Sequence, residues 1–209
     1  GVTSIEESLA LKKAGVRAPS LILGNIFPFT NLEHAIKNGV RITVASLESA
    51  RMCEKFAKRL KRKVFAHAEI DTGMNRIGVN VKNALPFIEK ISNLKSVVLE
   101  GLYTHFAGSY EDPDFTVKQI SEFEDLLGRL EARGIRIPLI HCGNSGGIFK
   151  YPRAHFSMAR PGISLYGVLP VPIHQNIDLK PVLSWKSRII FLKNVPSGTP
   201  VSYAGTFKT

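Results

Sequence analysis

A chain of 209 residues, 44% hydrophobic and 22% charged, has the composition of a globular protein large enough for a sizeable core. No stretch approaches the roughly 20 apolar residues of a membrane span, and the opening GVTSIEESLA carries neither the basic leader nor the apolar core of a signal peptide. The net charge of +11 is dispersed, and its densest run, KFAKRLKRK at 55–63, falls on an expected helix and reads as a solvated face rather than a nucleic-acid surface.

In chain order, the first two residues, GV, read as the end of a strand that begins upstream. TSIEE follows as a helix start, with Thr3 and Glu6 in a capping pattern, and TNLEH repeats the signal with Thr30 and Glu33. Short apolar runs separate the helical segments: SLILG from 20, VRITVA from 40, KVFAHAEI from 63, SVVLEGLYTHF from 96 and IRIPLIHC from 135. Runs of this kind fit strands buried on both faces. PDFTVKQISEFEDLLGRLEARG is amphipathic at helical spacing and ends at Gly134. The alternation predicts parallel βα units, hence a (β/α)8 barrel or a doubly wound sheet. No GxGxxG follows a strand, which disfavours a dinucleotide fold. After residue 178 the helical period disappears, and Pro/Gly punctuation with apolar alternation predicts antiparallel strands opening a β domain. The proline-rich VLPVPIHQNIDLKP is the boundary, so the expected domains are 1–177 and 178–209.

In a βα barrel the carboxyl ends of the strands carry the chemistry. Here those ends read IDTGMNRIG, YTHFAG, HCGNSGG and ARPGISLYG, delivering Asp71 and Arg76, His105, His141 with Asn144 and Ser145, and Arg160. Four successive rims with Arg, His, His and Arg are hard to explain by packing alone, because buried charge is costly unless paired. HCGNSGG is either a plain turn or a loop whose glycines let backbone approach an anion that Ser145 also contacts. The set lacks a carboxylate cluster, and His67, His105 and His141 lie on separate strands without ligand spacing, so no metal is expected. Cys53 and Cys142 are too few for a disulfide framework, which points to a reducing cytoplasm, and Cys142 reads as a buried thiol.

IDTGMNRIGV, GLYTHFAG, HCGNSGG, ARPGISLYG and VSYAGTF, in this order, closely resemble the alanine racemases, and the resemblance extends over the whole chain. It implies a (β/α)8 barrel of the TIM type followed by a mainly antiparallel β domain, and pyridoxal 5′-phosphate as cofactor. By resemblance, Ser145 with the backbone at Gly162 and Ile163 binds the cofactor phosphate, with Asn144 beside them. Arg160 faces the pyridine nitrogen, and His141 supports Arg160 by a hydrogen bond. An arginine does not give up its proton, so that nitrogen stays unprotonated and the ring is a weaker electron sink. Tyr203 of VSYAGTF corresponds to one of two catalytic bases, the other being a lysine. A phenol ionises near pH 10 and needs nearby cations. His105 and Arg76 match the residues that orient this tyrosine, and Arg76 also matches a residue near the substrate carboxylate. In the family this tyrosine reaches the partner subunit's site, which implies a homodimer.

Two departures from the family pattern stand out. The position two residues before DTG usually holds a lysine, often carbamylated, bridging to the arginine of DTGMxR; here it is Glu69, whose carboxylate is expected to hold Arg76 directly, with Asp71 supporting. The family's cofactor lysine, in a motif resembling KANAYGHG, has no counterpart in residues 1–209, nor does most of the β domain. The expectation is an internal portion of a racemase: an incomplete barrel without its first strand, inactive by itself, within a parent that converts L-alanine to D-alanine for peptidoglycan. The rivals are a racemase for serine, lysine or a broad range of amino acids, a non-catalytic pyridoxal phosphate-binding barrel protein, and a basic nucleic-acid-binding module.

Overall fold

The computed structural model describes residues 1–169 and 177–209; the middle of the proline-rich linker lies outside the described residues. The elements alternate as predicted: α1 (Ile5–Lys13), β1 (Leu21–Ile22), α2 (Thr30–Lys37), β2 (Arg41–Val44), α3 (Leu47–Arg59), β3 (Val64–Asp71), β4 (Val79–Asn80), α4 (Val81–Ser92), β5 (Val97–Tyr103), α5 (Pro113–Ala132), β6 (Leu139–His141) and α6 (Ser145–Lys150). β1, β2, β3, β5 and β6 form one parallel sheet in that order, with β4 paired to the end of β3, and Val2 bridges to Ile22 beside β1. This curled sheet with its helices is an incomplete barrel.

The alternation of side chains along a strand sorts residues between two faces. On β3, Val64, Ala66, Ala68 and Ile70 are buried and join a core with Ile42 and Val44 of β2, Leu102 of β5, Cys53 and Phe56 of α3, Ile88 of α4 and Phe123 of α5. Phe65, His67, Glu69 and Asp71 occupy the opposite face. Burying each large apolar side chain contributes about 1.5–3 kcal/mol, so the helix-facing set fixes the register and the polar set follows from it. Cross-strand pairing then stacks two interior tiers. Thr43, His67, Gly101 and Leu139 align in one, and Glu69, Tyr103 and His141 in the next. The ladder between β3 and β5 shifts register between Ala66 and His67, leaving Glu100 as the extra residue of a β-bulge.

Helix termini differ from the expected caps. Ser4 caps α1, its hydroxyl accepting from Glu7 N–H, while Thr3 N–H donates to the Glu7 carboxylate; the pattern is shifted by one residue. Thr30 caps nothing: a tight turn precedes it, in which the carbonyls of Pro28 and Phe29 take the first N–H groups of α2. α5 ends as foreseen, with Gly134 at φ +71° beyond it. The basic run lies on α3 and just beyond it, where Lys58 pairs with Glu54 and Arg59 with Glu33.

Beyond the barrel sheet, β7 (Pro200–Val201) and β8 (Phe207–Lys208) pair antiparallel around a short 3-10 turn that contains Tyr203. Two antiparallel strands thus form after residue 178, as expected, and both lie near the end of the chain: residues 181–195 carry no assigned strand, and Trp185 and Ile190 are 92% and 96% exposed. A strand needs a neighbour to take its N–H and C=O groups, and the bond from Val182 N–H to Tyr166 O (3.2 Å) is not continued into a ladder among the described residues.

Candidate functional site

The carboxyl ends of β5 and β6 bring His105 and His141 together around Arg160, while Asp71 and Arg76 at the end of β3 make no hydrogen bond or ion pair to it among the described residues. Arg160 is the hub, although it belongs to the loop after α6. Its backbone N–H donates to Gly143 O (2.8 Å), which pins the loop to the end of β6. Its guanidinium donates through Nη1 to His141 Nδ1 at 2.5 Å and through Nη2 to Thr104 O at 2.8 Å, with longer contacts to His105 Nδ1 (3.4 Å) and Cys142 O (3.3 Å). It also lies over the Tyr103 ring at 5.0 Å, and that ring stacks on His141 with centroids 4.7 Å apart. A guanidinium has only donors, so both histidines must offer Nδ1 as a bare acceptor. Burial, aided by the Arg160 charge, lowers His141 to about 2 and His105 to about 4, so both rings are neutral. Each then carries its proton on Nε2.

A cavity of about 950 Å³ opens beside this hub, lined at the rim by Arg160, His105, Asn144, Ser145, Gly162 and Ile163. Ser145 Oγ accepts N–H bonds from Gly162 (3.0 Å) and Ser164 (3.2 Å) and meets Ser164 Oγ at 3.0 Å. Two successive loop segments thus turn N–H and hydroxyl groups toward one point. At Gly162 a Cβ would meet nothing within 4 Å, so the backbone there borders open space. A terminal anion beside these donors and a ring acceptor near Arg160 suit the donor set, and the residues present fit pyridoxal 5′-phosphate.

Of the two readings of HCGNSGG, a packed turn is the one that Gly146 and Gly147 support. A Cβ at Gly146 would fall 2.6 Å from Ser109 Oγ, and one at Gly147 would fall 2.8 Å from Phe106. They allow the loop to pack closely against the segment that follows β5. Asn144 lines the cavity, but its Oδ1 accepts from Gly147 N–H and Ser109 Oγ, both at 2.9 Å, so that oxygen is committed to holding the loop. His141 is fully buried behind Arg160 and does not itself line the cavity. Cys142 is a buried thiol, raised to about 12 by burial.

The expected partnership of Glu69 with Arg76 is not what forms. Glu69 is 5% exposed on the third strand, and its Oε2 accepts from Tyr103 OH at 2.9 Å. Burial raises its pKa, more than Tyr103 and the charge of Arg76 lower it. Arg76 is exposed on the turn after β3, and the ion pairs among the described residues do not include it. The reason is steric register: Glu69 shares its tier with Tyr103, which reaches it first. Asp71 builds that turn, its Oδ1 accepting from Gly73 and Asn75 N–H at 2.9 and 3.0 Å. Tyr203 is 96% exposed and does not line the cavity.

Several contributors are not singled out by the sequence, although Tyr103 and Thr104 sit within GLYTHFAG and Ser164 within ARPGISLYG. Tyr103, Thr104 and Ser164 hold the rim residues, and Gln119 of α5 ties Thr72 Oγ1 (3.1 Å) to the carbonyl of His105 (3.2 Å). A further signal was Gly101, since an isolated glycine inside a strand marks a bulge or close approach.

Comparison with known proteins gives the same placement. The family model described as "Alanine racemase, N-terminal domain" matches residues 1–170. An alanine racemase of Halothermothrix orenii is 39% identical over 206 residues, covering 98% of this chain and 54% of the relative. "Alanine racemase 2" of Caldanaerobacter subterraneus is 40% identical, covering all of this chain and again 54% of the relative. The chain therefore spans about half the length of the curated relatives it matches. Among solved structures, the alanine racemase of Clostridium difficile 630 superposes with a TM-score of 0.85 at 33% identity, covering 100% of this chain and 55% of that one. A histidine racemase from Leuconostoc mesenteroides gives 0.78 at 25%, covering 99% and 56%. With the match running through nearly all of the barrel sheet and its rim, the chain belongs to the alanine racemase N-terminal domain family.

Proposed function

We propose that the protein containing this chain is a pyridoxal phosphate-dependent amino-acid racemase acting on alanine. The observation that carries the reading is the convergence of His105, Ser145 and Arg160, from three separate stretches of sequence, on one cavity, with His141 holding Arg160 from behind. When bound, pyridoxal phosphate supplies an electron sink that acidifies the α C–H of an amino acid. Ser145 and the N–H groups of Gly162 and Ile163 are the residues for its phosphate, and Arg160 is the residue for its ring nitrogen. Because Arg160 donates and does not yield a proton, it holds that nitrogen as an acceptor, which tempers the sink and favours return of the proton over side reactions.

Racemisation requires a proton to leave one face of the α-carbon and arrive on the other. Tyr203 is the residue for one face. It stands 96% exposed away from the cavity of its own chain, which suits delivery to the site of a second subunit in a homodimer. His105, with its proton on Nε2, is ready to donate to a phenolate there, and Arg76 is exposed near the same rim. A lysine from the family's amino-terminal motif is the second base. The product D-alanine suits peptidoglycan synthesis in the cytoplasm. The histidine racemase likeness keeps other amino acids as the second reading.

The test is direct. The purified full-length protein should carry bound cofactor, seen as a visible absorbance band, and should interconvert L- and D-alanine. Absence of both sinks the proposal; activity on another amino acid in preference to alanine selects the second reading.

A further inference from the structure

The interior of the sheet holds a buried polar chain that the rim chemistry does not by itself require. His141 Nε2 lies 2.8 Å from Nδ1 of His67, one tier below, and His67 Nε2 lies 3.7 Å from the Glu100 carboxylate. Glu100 in turn accepts from Arg41 through Nε (3.1 Å) and Nη2 (3.4 Å). His67 is 2% exposed and His141 fully buried. The order of protons follows from the donor end. Arg160 can only donate, so His141 Nδ1 is bare and its proton sits on Nε2. That proton is donated to His67 Nδ1, which must therefore be bare as well. The remaining proton of neutral His67 sits on Nε2, on the side of the Glu100 charge. No other arrangement makes both nitrogen contacts hydrogen bonds while Arg160 keeps its charge.

The backbone is shaped for this chain. Gly101 stands opposite His67 in the ladder, and a Cβ there would fall 2.1 Å from His67 Nδ1. Only glycine leaves room for the imidazole to reach across β5 to β6. The bulge directly before it makes Glu100 the unpaired extra residue, whose carboxylate sits beside His67 and Arg41. Bulges re-aim side chains in this way near active sites.

We propose that the Glu100–Gly101 bulge and His67 form a positioning device for Arg160: a proton-ordered chain that fixes the His141 tautomer and so keeps Arg160 aimed at the cavity. His67 and Glu100 are positioning residues and not catalytic ones. The ordering itself stands on the geometry of this chain; its consequence for turnover rests on the racemase reading.

The experiment uses the full-length protein with ¹⁵N-labelled histidine, in which nitrogen–proton correlations report ring tautomers. The expected result is neutral rings with the proton on Nε2 at both His67 and His141. A proton on Nδ1 of His141, or a charged ring at either position near neutral pH, overturns the chain whatever the enzyme does. For the role, His67→Leu keeps apolar bulk but removes the acceptor, whereas His67→Asn restores an oxygen near the Nδ1 position with a smaller side chain. Loss of one buried hydrogen bond predicts a kcat lowered about tenfold or more in His67→Leu with KM little changed, and partial recovery in His67→Asn. Equal activity in wild type and His67→Leu removes the positioning role. Wild type that neither binds cofactor nor racemises any amino acid rejects the functional reading, while the tautomer result still decides the chain.

Discussion

The tiers inside the sheet and the segment after the linker use similar residues in opposite ways. Between β3 and β6, His67, Glu69, Tyr103 and His141 are buried, and every buried side-chain nitrogen or oxygen among the described residues has a hydrogen-bond partner. After residue 177, Trp185, Ile190 and Tyr203 are each more than 90% exposed. In the first region strand pairing fixes the backbone, apolar burial chooses the face, and polar groups can then be ordered atom by atom. In the second, a two-residue ladder and a turn with positive φ at Ser202 and Ala204 hold Tyr203 locally. The lesson is that Arg160 is positioned by its own chain, whereas the placement of Tyr203 depends on what packs against this segment.

Acid should break the first region hardest. Burial lowers His67 and His105 to about 4 and His141 to about 2, below the usual 6.5. For a group whose folded value is depressed in this direction, the unfolded chain binds the proton first. Its stability contribution is whole above pH 6.5 and is lost as pH falls toward the folded values. Each such histidine removes up to about 1.4 kcal/mol per pH unit. Glu69, whose pKa burial raises, works the other way, but it is one group against three. Denaturant titrations of the protein at pH 7, 6 and 5 should show a steep decline, and a flat profile would mean that these rings are not buried neutral.

Gly101→Ala is the next largest. Its Cβ would meet the His67 ring at 2.1–2.6 Å, and overpacking of this kind costs about 1–3 kcal/mol or more. The comparison is Gly128→Ala in α5, where nothing lies within 4 Å of the added atom and the helix gains about 1 kcal/mol. Opposite signs in thermal denaturation would confirm that one glycine is spatial and the other incidental.

This pair also shows how far the residue pattern could be read. The βα alternation, the helix-facing apolar sets and the rim residues Arg160, His141, His105 and Ser145 follow from local periodicity and from motifs. What Gly101 does cannot be read locally, because its neighbour is His67, 34 positions earlier, brought alongside by the register of β3 and β5. The same holds for Glu69, which the motif offset linked to Arg76 and the tier links to Tyr103. The glycines of HCGNSGG suggested a ligand for a sound reason, but at 146 and 147 the close approach is to Ser109 and Phe106. The capping signal at Thr30 was overridden by the turn preceding it.

Ser145→Ala should have a smaller effect on the fold than Gly101→Ala. It leaves the N–H groups of Gly162 and Ser164 without their acceptor, and unpaired buried groups cost about 1–3 kcal/mol each; water entering from the adjacent cavity brings the loss to the lower end, about 1 kcal/mol. Tyr203→Phe should be the mildest: at 96% exposure its hydroxyl supports nothing among the described residues, so stability should change by less than about 0.5 kcal/mol. In the full-length protein the same substitution should abolish most racemisation. A variant that lost stability but kept activity would reverse the contrast between the two regions.

The most direct test of the central claim is the affinity of the full-length protein for pyridoxal phosphate with and without Gly162→Ala. A Cβ there meets no atom of the described residues within 4 Å, on the residue whose N–H donates to Ser145 Oγ at 3.0 Å and which lines the cavity. The account predicts an unchanged melting temperature and cofactor binding weakened about tenfold or more, as expected when a phosphate loses close backbone approach. Cofactor affinity equal to wild type would mean that the phosphate lies elsewhere, and that the cavity beside Arg160 is not the site.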